Sequence, residues 1–176
     1  MHDSVLQNLY FVKQRLAKLD PEATSLVDGS ITMLRQTIKA QRPSLLDQGI
    51  ILAIEDMIKE VVKIAGDDVV ILWHNCLEEE IKLPDEQATS IYRIVQESLS
   101  NILRHSQADQ AIVTARKDKS LLELIIEDDG IGISSDGQEE HYGFLNMKER
   151  ATMIGADLTI DSEPGRGTSV KVSLKI

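Results

Sequence analysis

The segment Ile126-Glu-Asp-Asp-Gly-Ile-Gly-Ile133 constrains the fold more tightly than any other stretch of the chain. An apolar run, Leu121 to Ile126, stops at three acids, and two glycines follow one residue apart. The run reads as a buried strand that delivers Asp128 to the bottom of a turn, where no side chain crowds Gly130 or Gly132. Such a turn suits a planar ligand lying on bare backbone, with the Asp128 carboxylate accepting a hydrogen bond from its rim. Strands also end in Asp and Gly simply to turn. The segment therefore points to a binding site only in the company of other residues.

The totals narrow that company. A chain of 176 residues suits one medium domain, or a small domain with a helical appendage. Apolar residues make up 42% and charged residues 27%, ordinary values for a globular protein. The net charge is −10, from 29 acids against 19 Lys and Arg, and the few bases do not cluster. Such a surface repels a phosphodiester backbone, so nucleic acid is not an expected partner. The single Cys76 excludes an internal disulfide and, lying beside Trp73 in an apolar run, is expected as a buried structural thiol in a reducing compartment. No apolar run approaches the roughly 20 residues that span a bilayer, and no signal-peptide pattern opens the chain. A cytosolic protein, or the cytosolic piece of something longer, is the expectation.

From the start, Val5, Leu6, Leu9, Val12, Leu16 and Leu19 form one apolar stripe at helical spacing over residues 2–19. Asp20-Pro21 breaks it, and a second helix runs to about Arg42 with Leu26, Ile31, Leu34 and Ile38 inward, until Pro43 stops it. A helical hairpin cannot bury both stripes alone, so a second copy completing a four-helix bundle is expected. The alternative is that the hairpin packs on its own chain. Leu45 to Ala65 reads as a further helix, Val69 to Trp73 as a strand, and Asp85 to His105 as a long helix capped by Asp85. Strands Ala111–Arg116 and Leu121–Ile126 follow, then a polar, glycine-rich loop from Gly130 to Gly143 long enough to be functional. A helix from Phe144 to Ile154 and strands Asp157–Asp161 and Thr168–Lys175 close the chain. The expected architecture is α+β: residues 1–43 as a helical hairpin, and residues 44–176 as a mostly antiparallel sheet covered on one face by helices.

On the long helix, Glu97, Asn101, Arg104 and His105 share a polar stripe opposite the apolar one. Asn offers a neutral oxygen to a hard cation, and Mg²⁺ in phosphate sites takes only one or two protein ligands. Arg104 and His105 are then candidates to meet phosphate oxygens. The competing reading is a merely solvated face.

Taken in order, Gln96-Glu97-x-x-x-Asn101-x-x-x-His105, Asp128-x-Gly130-x-Gly132, Gly143-Phe-x-x-Met-Lys-Glu-Arg150 and Gly165-x-Gly167-Thr168 resemble one known set. They are similar to the N box and three glycine boxes of the ATP-binding domain shared by histidine kinases, heat-shock chaperones, MutL and type II topoisomerases. The spelling of the third box resembles the histidine-kinase branch. His2-Asp3-Ser4-Val5-x-Gln7 resembles the phosphoacceptor motif of the NarX/DesK-like sensor kinases, and Arg42-Pro43-x-Leu45 with Gly49-Ile-x-x-Ala53 resembles that group's junction between dimerisation and ATP-binding domains. The resemblance covers essentially the whole chain.

It implies ATP and Mg²⁺ as ligands, with Asp128 taking the adenine amino group and Gly130 and Gly132 letting the base approach. Asn101 would hold Mg²⁺, and Glu97 would orient a water or assist proton transfer. The Gly130–Gly143 loop would be the lid, with Gly143 near the phosphates, and Gly167 and Thr168 in the floor. His2 would be the nucleophile: imidazole attacks through one neutral nitrogen, and Asp3 can hold and then take the proton on the other. Gln7 would position water for dephosphorylation of a partner. The implied partners are a second copy and the receiver domain of a NarL/LuxR-type response regulator. His74 and His141 lack such neighbours and are expected to be structural or loop residues.

Three departures stand out. Asn146 replaces the usual second glycine of its box, Phe144 replaces the usual Leu, and the chain begins one residue before His2. The last suggests a cytosolic fragment of a longer receptor, reaching a membrane only through an upstream region. The principal expectation is therefore an autokinase. The rivals are a dimeric pseudokinase that binds nucleotide without phosphotransfer, for which Asn146 is the best support, and an anti-sigma-type serine kinase, which would need no phosphoacceptor hairpin.

Overall fold

The computed structural model describes residues 44–66, 68–133 and 141–176. The expected helical hairpin, its dimer contact and the residues His2, Asp3 and Gln7 lie outside these residues, as does half of the expected lid, residues 134–140.

A 3₁₀ turn, Ser44–Asp47, precedes helix α1, Ile50–Ala65. A single helix from Leu45 was expected, and Gly49, at φ 154°, divides the two. The start of α1 is capped from far along the chain. The Glu80 carboxylate accepts from the Ile51 N–H at 2.8 Å and the Leu52 N–H at 3.1 Å. It thereby satisfies donors that the helix itself leaves open. Gly49 makes room for it, because a Cβ there would stand 2.2 Å from Glu80 Cγ.

Strand β1, Val70–Asn75, leads to helix α2, Asp85–Asn101, whose expected cap is displaced by one residue. Pro84 occupies the cap position, while Asp85 and Glu86 lie in the first turn, where carboxylates face the positive end of the helix dipole. The helix expected to run on to His105 changes pitch at Ile102. Ile102–Ser106 is a π-helical turn, ended by Gln107 in the left-handed region at φ 51°. Strands β2 (Gln110–Asp118) and β3 (Leu121–Asp128), helix α3 (His141–Met153), and strands β4 (Asp157–Ser162) and β5 (Thr168–Lys175) follow.

The five strands form one mixed sheet in the order β1-β2-β3-β5-β4. β1 lies parallel to β2, and the other neighbours are antiparallel. The parallel pair follows from α2, which carries the chain back across the sheet as a crossover. Period-two alternation sends Val113, Leu124, Ile126 and Val172 to the helix side, where they pack with Ile54, Ile94, Leu99 and Met147, all buried. Burying each such side chain stabilises by about 1.5–3 kcal/mol, so this shared layer is the main glue of the unit. On the opposite face Ile112, Thr114, Ile125 and Lys171 are only partly buried. Glu123 is buried among them, bonded to Arg116 at 2.7 Å and Lys171 at 2.5 Å.

Cys76 departs from expectation, being exposed. β1 is an edge strand that ends at Asn75, so the apolar run does not continue inward at the next residue.

No helix among the described residues is long and apolar enough to cross a membrane.

Candidate functional site

A cavity of about 550 Å³ opens between the C-terminal half of α2 and the ends of β3 and β5. Eight residues anticipated from sequence line it: Glu97, Asn101, Arg104, His105, Asp128, Gly132, Gly143 and Thr168. Ile102, Ile126, Ile133, Phe144 and Val170 supply apolar wall. A volume in this range, with apolar walls and a few converging polar groups, suits a small-molecule ligand.

Asp128 is the last residue of the central strand β3 and pairs in register with Thr168, the first of β5. Its Oδ1 accepts from the Gly130 N–H at 3.0 Å. Burial pushes the carboxyl pKa above its ordinary value, against hydrogen bonds from the Gly130 and Thr168 N–H groups that pull it down, and the neighbouring Asp129 adds to the rise.

Gly130 and Gly167 do not line the cavity; they build its wall. A Cβ on Gly130 would stand 2.2 Å from the Ser106 carbonyl oxygen, and one on Gly167 would stand 1.8 Å from the Asp128 carbonyl oxygen. Gly132, at the cavity, is similarly pressed against the Glu163 carbonyl at 2.1 Å. The glycine spacing is thus demanded by the chain's own backbone. The Ile131 N–H donates to the Ser106 carbonyl at 2.8 Å, which fastens the turn after Asp128 to the end of the π-helical turn.

On the opposite wall, Arg104 folds back along its own helix. Its Nε donates to the Ser100 carbonyl at 3.1 Å and its Nη2 to Ser100 Oγ at 2.7 Å, while Nη2 lies 3.8 Å from Glu97 Oε1. The guanidinium is therefore held at the rim beside the Glu97 carboxylate. α3 reaches this wall through Gly143, where a Cβ would stand 2.9 Å from Glu97 Oε1 and 3.8 Å from Asn101 Nδ2. α3 begins at His141, three residues before the expected start. Asn146 lies in that helix, exposed and not among the lining residues. His74 is exposed on β1.

Several site residues escaped the sequence. Ser98 is buried at the cavity, its hydroxyl donating to the Ile94 carbonyl at 2.9 Å and lying 3.6 Å from Met147 Sδ. Ser106 closes the π-helical turn, donating to the Ile102 carbonyl at 2.8 Å and accepting from the Ala108 N–H at 3.1 Å. Ser162, outside the cavity lining, bonds to Ile133, Gly167 and Thr168. Ser98 and Ser106 bond mainly within their own helical turns, a role any helical serine can take, whereas Ser162 meets Ile133 only through the fold.

A family profile described as "Histidine kinase-, DNA gyrase B-, and HSP90-like ATPase" matches residues 86–176, from the first turn of α2 to the C-terminal residue. The chain belongs to that ATPase family. Sensor protein VraS of Staphylococcus saprophyticus is 32% identical over 186 residues, covering 98% of this chain and 52% of its own length. The nitrate/nitrite sensor protein NarX of Escherichia coli is 27% identical over 188 residues, covering 98% of this chain and 31% of its own. An uncharacterized sensor-like histidine kinase of Chloroflexus aurantiacus is 29% identical over 171 residues, 93% of this chain and 28% of that protein. The chain thus spans about half or less of the length of these relatives. Among solved structures, the histidine kinase domain of the Erythrobacter litoralis EL346 blue-light activated histidine kinase shares the fold, with a TM-score of 0.63 at 19% identity over 99% of this chain and 93% of that one. The mycobacterial sensor histidine kinase MprB does so with a TM-score of 0.53 at 17% identity, over 70% of this chain and 91% of that one.

Proposed function

We propose that the chain is the signalling core of a NarX-like sensor histidine kinase. Residues 44–176 bind ATP, and residues 1–43 supply the dimerisation hairpin and the phosphoacceptor His2. The observation that carries this reading is the convergence of Asp128, Asn101, Glu97, Gly143 and Thr168, drawn from separate elements, on one cavity. The residues fit the nucleotide. The half-buried Asp128 carboxylate is an acceptor for an exocyclic amino group, the isoleucines and Val170 are apolar faces for a base, and Asn101 and Glu97 are polar groups on the same cavity that phosphates would meet.

Asn101, with Glu97 beside it, would hold Mg²⁺, which when bound offsets phosphate charge. The chain's own residues do the rest. Asp128 orients the base, Gly143 admits the phosphate end against α2, and Arg104 and His105 face the rim. Neutral His2 attacks the γ-phosphorus, the bond to the β–γ bridging oxygen breaks, and ADP leaves. Asp3 takes the proton that the imidazolium sheds. Phosphohistidine then passes its phosphoryl group to an aspartate of a receiver domain of NarL/LuxR type, and Gln7 positions the water that later hydrolyses that aspartyl phosphate, releasing inorganic phosphate. Transfer of this kind depends on positioning and charge neutralisation, which is what this residue set supplies. The working assembly is a homodimer on the cytosolic side of a longer sensor. The rival pseudokinase reading rested on Asn146, and that side chain is exposed away from the cavity lining.

Incubation with γ-labelled ATP and Mg²⁺ tests the proposal. The expected result is acid-labile, base-stable label on the unaltered chain and none on His2→Gln or Asp128→Asn. Label that survives His2→Gln would overturn the phosphoacceptor assignment. Nucleotide binding without any label would favour the pseudokinase.

A further inference from the structure

We propose that Ser162, a residue outside the cavity lining, sets the hydrogen-bonding polarity of Thr168 and thereby helps the site choose adenine over guanine. This deepens the nucleotide reading above and rests on it. Ser162 Oγ stands at a three-way junction: 2.9 Å from the Ile133 N–H, 3.0 Å from the Gly167 carbonyl and 3.0 Å from Thr168 Oγ1. A hydroxyl has one proton and two lone pairs. The Ile133 N–H can only donate and the Gly167 carbonyl can only accept. All three contacts are hydrogen bonds in one proton arrangement alone. Ser162 gives its proton to Gly167, takes one from Ile133, and takes the other from the Thr168 hydroxyl.

Thr168 has then spent its proton on Ser162. What it presents to the cavity it lines is acceptor capacity only. Asp128, its register partner across β3 and β5, is likewise an acceptor when ionised. Two acceptors side by side recognise a donor such as the amino group of adenine; a guanine in the same orientation sets its keto oxygen against their lone pairs, and must turn in the cavity before its own N1–H and amino donors can meet them. Unpaired polar groups of this kind are where binding sites gain discrimination. Without the Ser162 hydroxyl, Thr168 is free to rotate and donate, and the penalty against a keto edge relaxes. The same hydroxyl also accepts from the Ile133 N–H, five residues beyond the end of β3. Ser162 is a positioning residue that acts through Thr168.

The test is calorimetric titration of the full 176-residue chain with ADP and, separately, GDP. Ser162→Ala is expected to weaken ADP binding by about tenfold, the equivalent of one buried hydrogen bond, and GDP binding by less, so that the ADP/GDP preference narrows. Thr168→Val should narrow the preference similarly, and the double variant should add little to either single one. Should Ser162→Ala not fold, Ser162→Cys carries the same comparison with a near-isosteric, weakly bonding atom. Equal losses for ADP and GDP, an unchanged ADP affinity, or additive effects with Thr168→Val would each overturn the inference. If the unaltered chain binds no ADP, the nucleotide reading itself falls, which is a different result from a selective site indifferent to Ser162.

Discussion

Three glycine-to-alanine substitutions separate backbone strain from steric contact in this fold. Gly155 has φ +69° and nothing within 4 Å of where a Cβ would stand. Gly130 has no left-handed φ, but its Cβ would lie 2.2 Å from the Ser106 carbonyl oxygen. Gly167 combines φ +78° with a Cβ 1.8 Å from the Asp128 carbonyl oxygen. Gly155→Ala therefore carries only the left-handed penalty, about 1–2 kcal/mol. In Gly130→Ala the Ser106 carbonyl must retreat by roughly 1 Å to restore van der Waals contact. That movement breaks its 2.8 Å bond to the Ile131 N–H. Overpacking of about 1–3 kcal/mol plus about 1 kcal/mol for the lost bond gives about 2–4 kcal/mol. Gly167→Ala meets both costs, about 2–5 kcal/mol, a large part of the roughly 5–15 kcal/mol that holds a domain together. Urea denaturation followed by the fluorescence of Trp73, the single tryptophan, reads all three. ADP titration should show weaker binding in Gly130→Ala, whose turn carries Asp128 away from α2, and no change in Gly155→Ala. The reasoning is refuted if Gly130→Ala costs no more stability than Gly155→Ala, or if Gly167→Ala is the mildest.

Other consequences are equally direct. Because burial raises the Asp128 pKa in the folded state, ionising it opposes folding, and stability falls as pH rises from the unfolded toward the folded value. Asp128→Asn should therefore melt at a higher temperature than the unaltered chain at pH 7, with the gap closing in acid, while losing about 1.5–3 kcal/mol of nucleotide affinity. Glu123 runs the other way. The Lys171 hydrogen bond, then Arg116, lowers its pKa against the pull of burial, so its contribution is full above the unfolded value and is lost as pH falls through the folded one. Melting temperatures should show Glu123→Gln destabilised at pH 7 and equal to the unaltered chain at strongly acid pH. Glu80→Ala, which uncaps α1, should cost about 1 kcal/mol in urea with ADP affinity unchanged.

The strands were legible because alternation in a half-buried sheet is written locally: β5 was anticipated at Thr168–Lys175, its observed bounds, and the others within two residues at either end. The cavity residues were legible for a different reason. Chemistry-bearing side chains at fixed spacing survive without any knowledge of the fold, so Glu97, Asn101, Asp128 and Thr168 could be named in advance. What stayed hidden depends on partners far away in sequence. The Glu80 cap on α1 spans 29 positions. Ser162 shows no purpose until Ile133 and Thr168 surround it. The π-helical turn at Ile102 leaves an apolar stripe nearly intact, so periodicity extends the helix through it. Cys76 was misplaced because an apolar neighbourhood in sequence says nothing about being at the edge of a sheet.

The pairing of Asp128 with Thr168 has one more consequence. Sliding β5 along β3 by two residues would keep every inward side chain facing inward, so the apolar layer alone does not forbid it. The slipped chain would look well folded in its core, yet Asp128 would face a different neighbour and the wall at Gly167 would be gone. Ligand binding would then act as a proofreader of strand alignment, favouring the one register in which both residues meet.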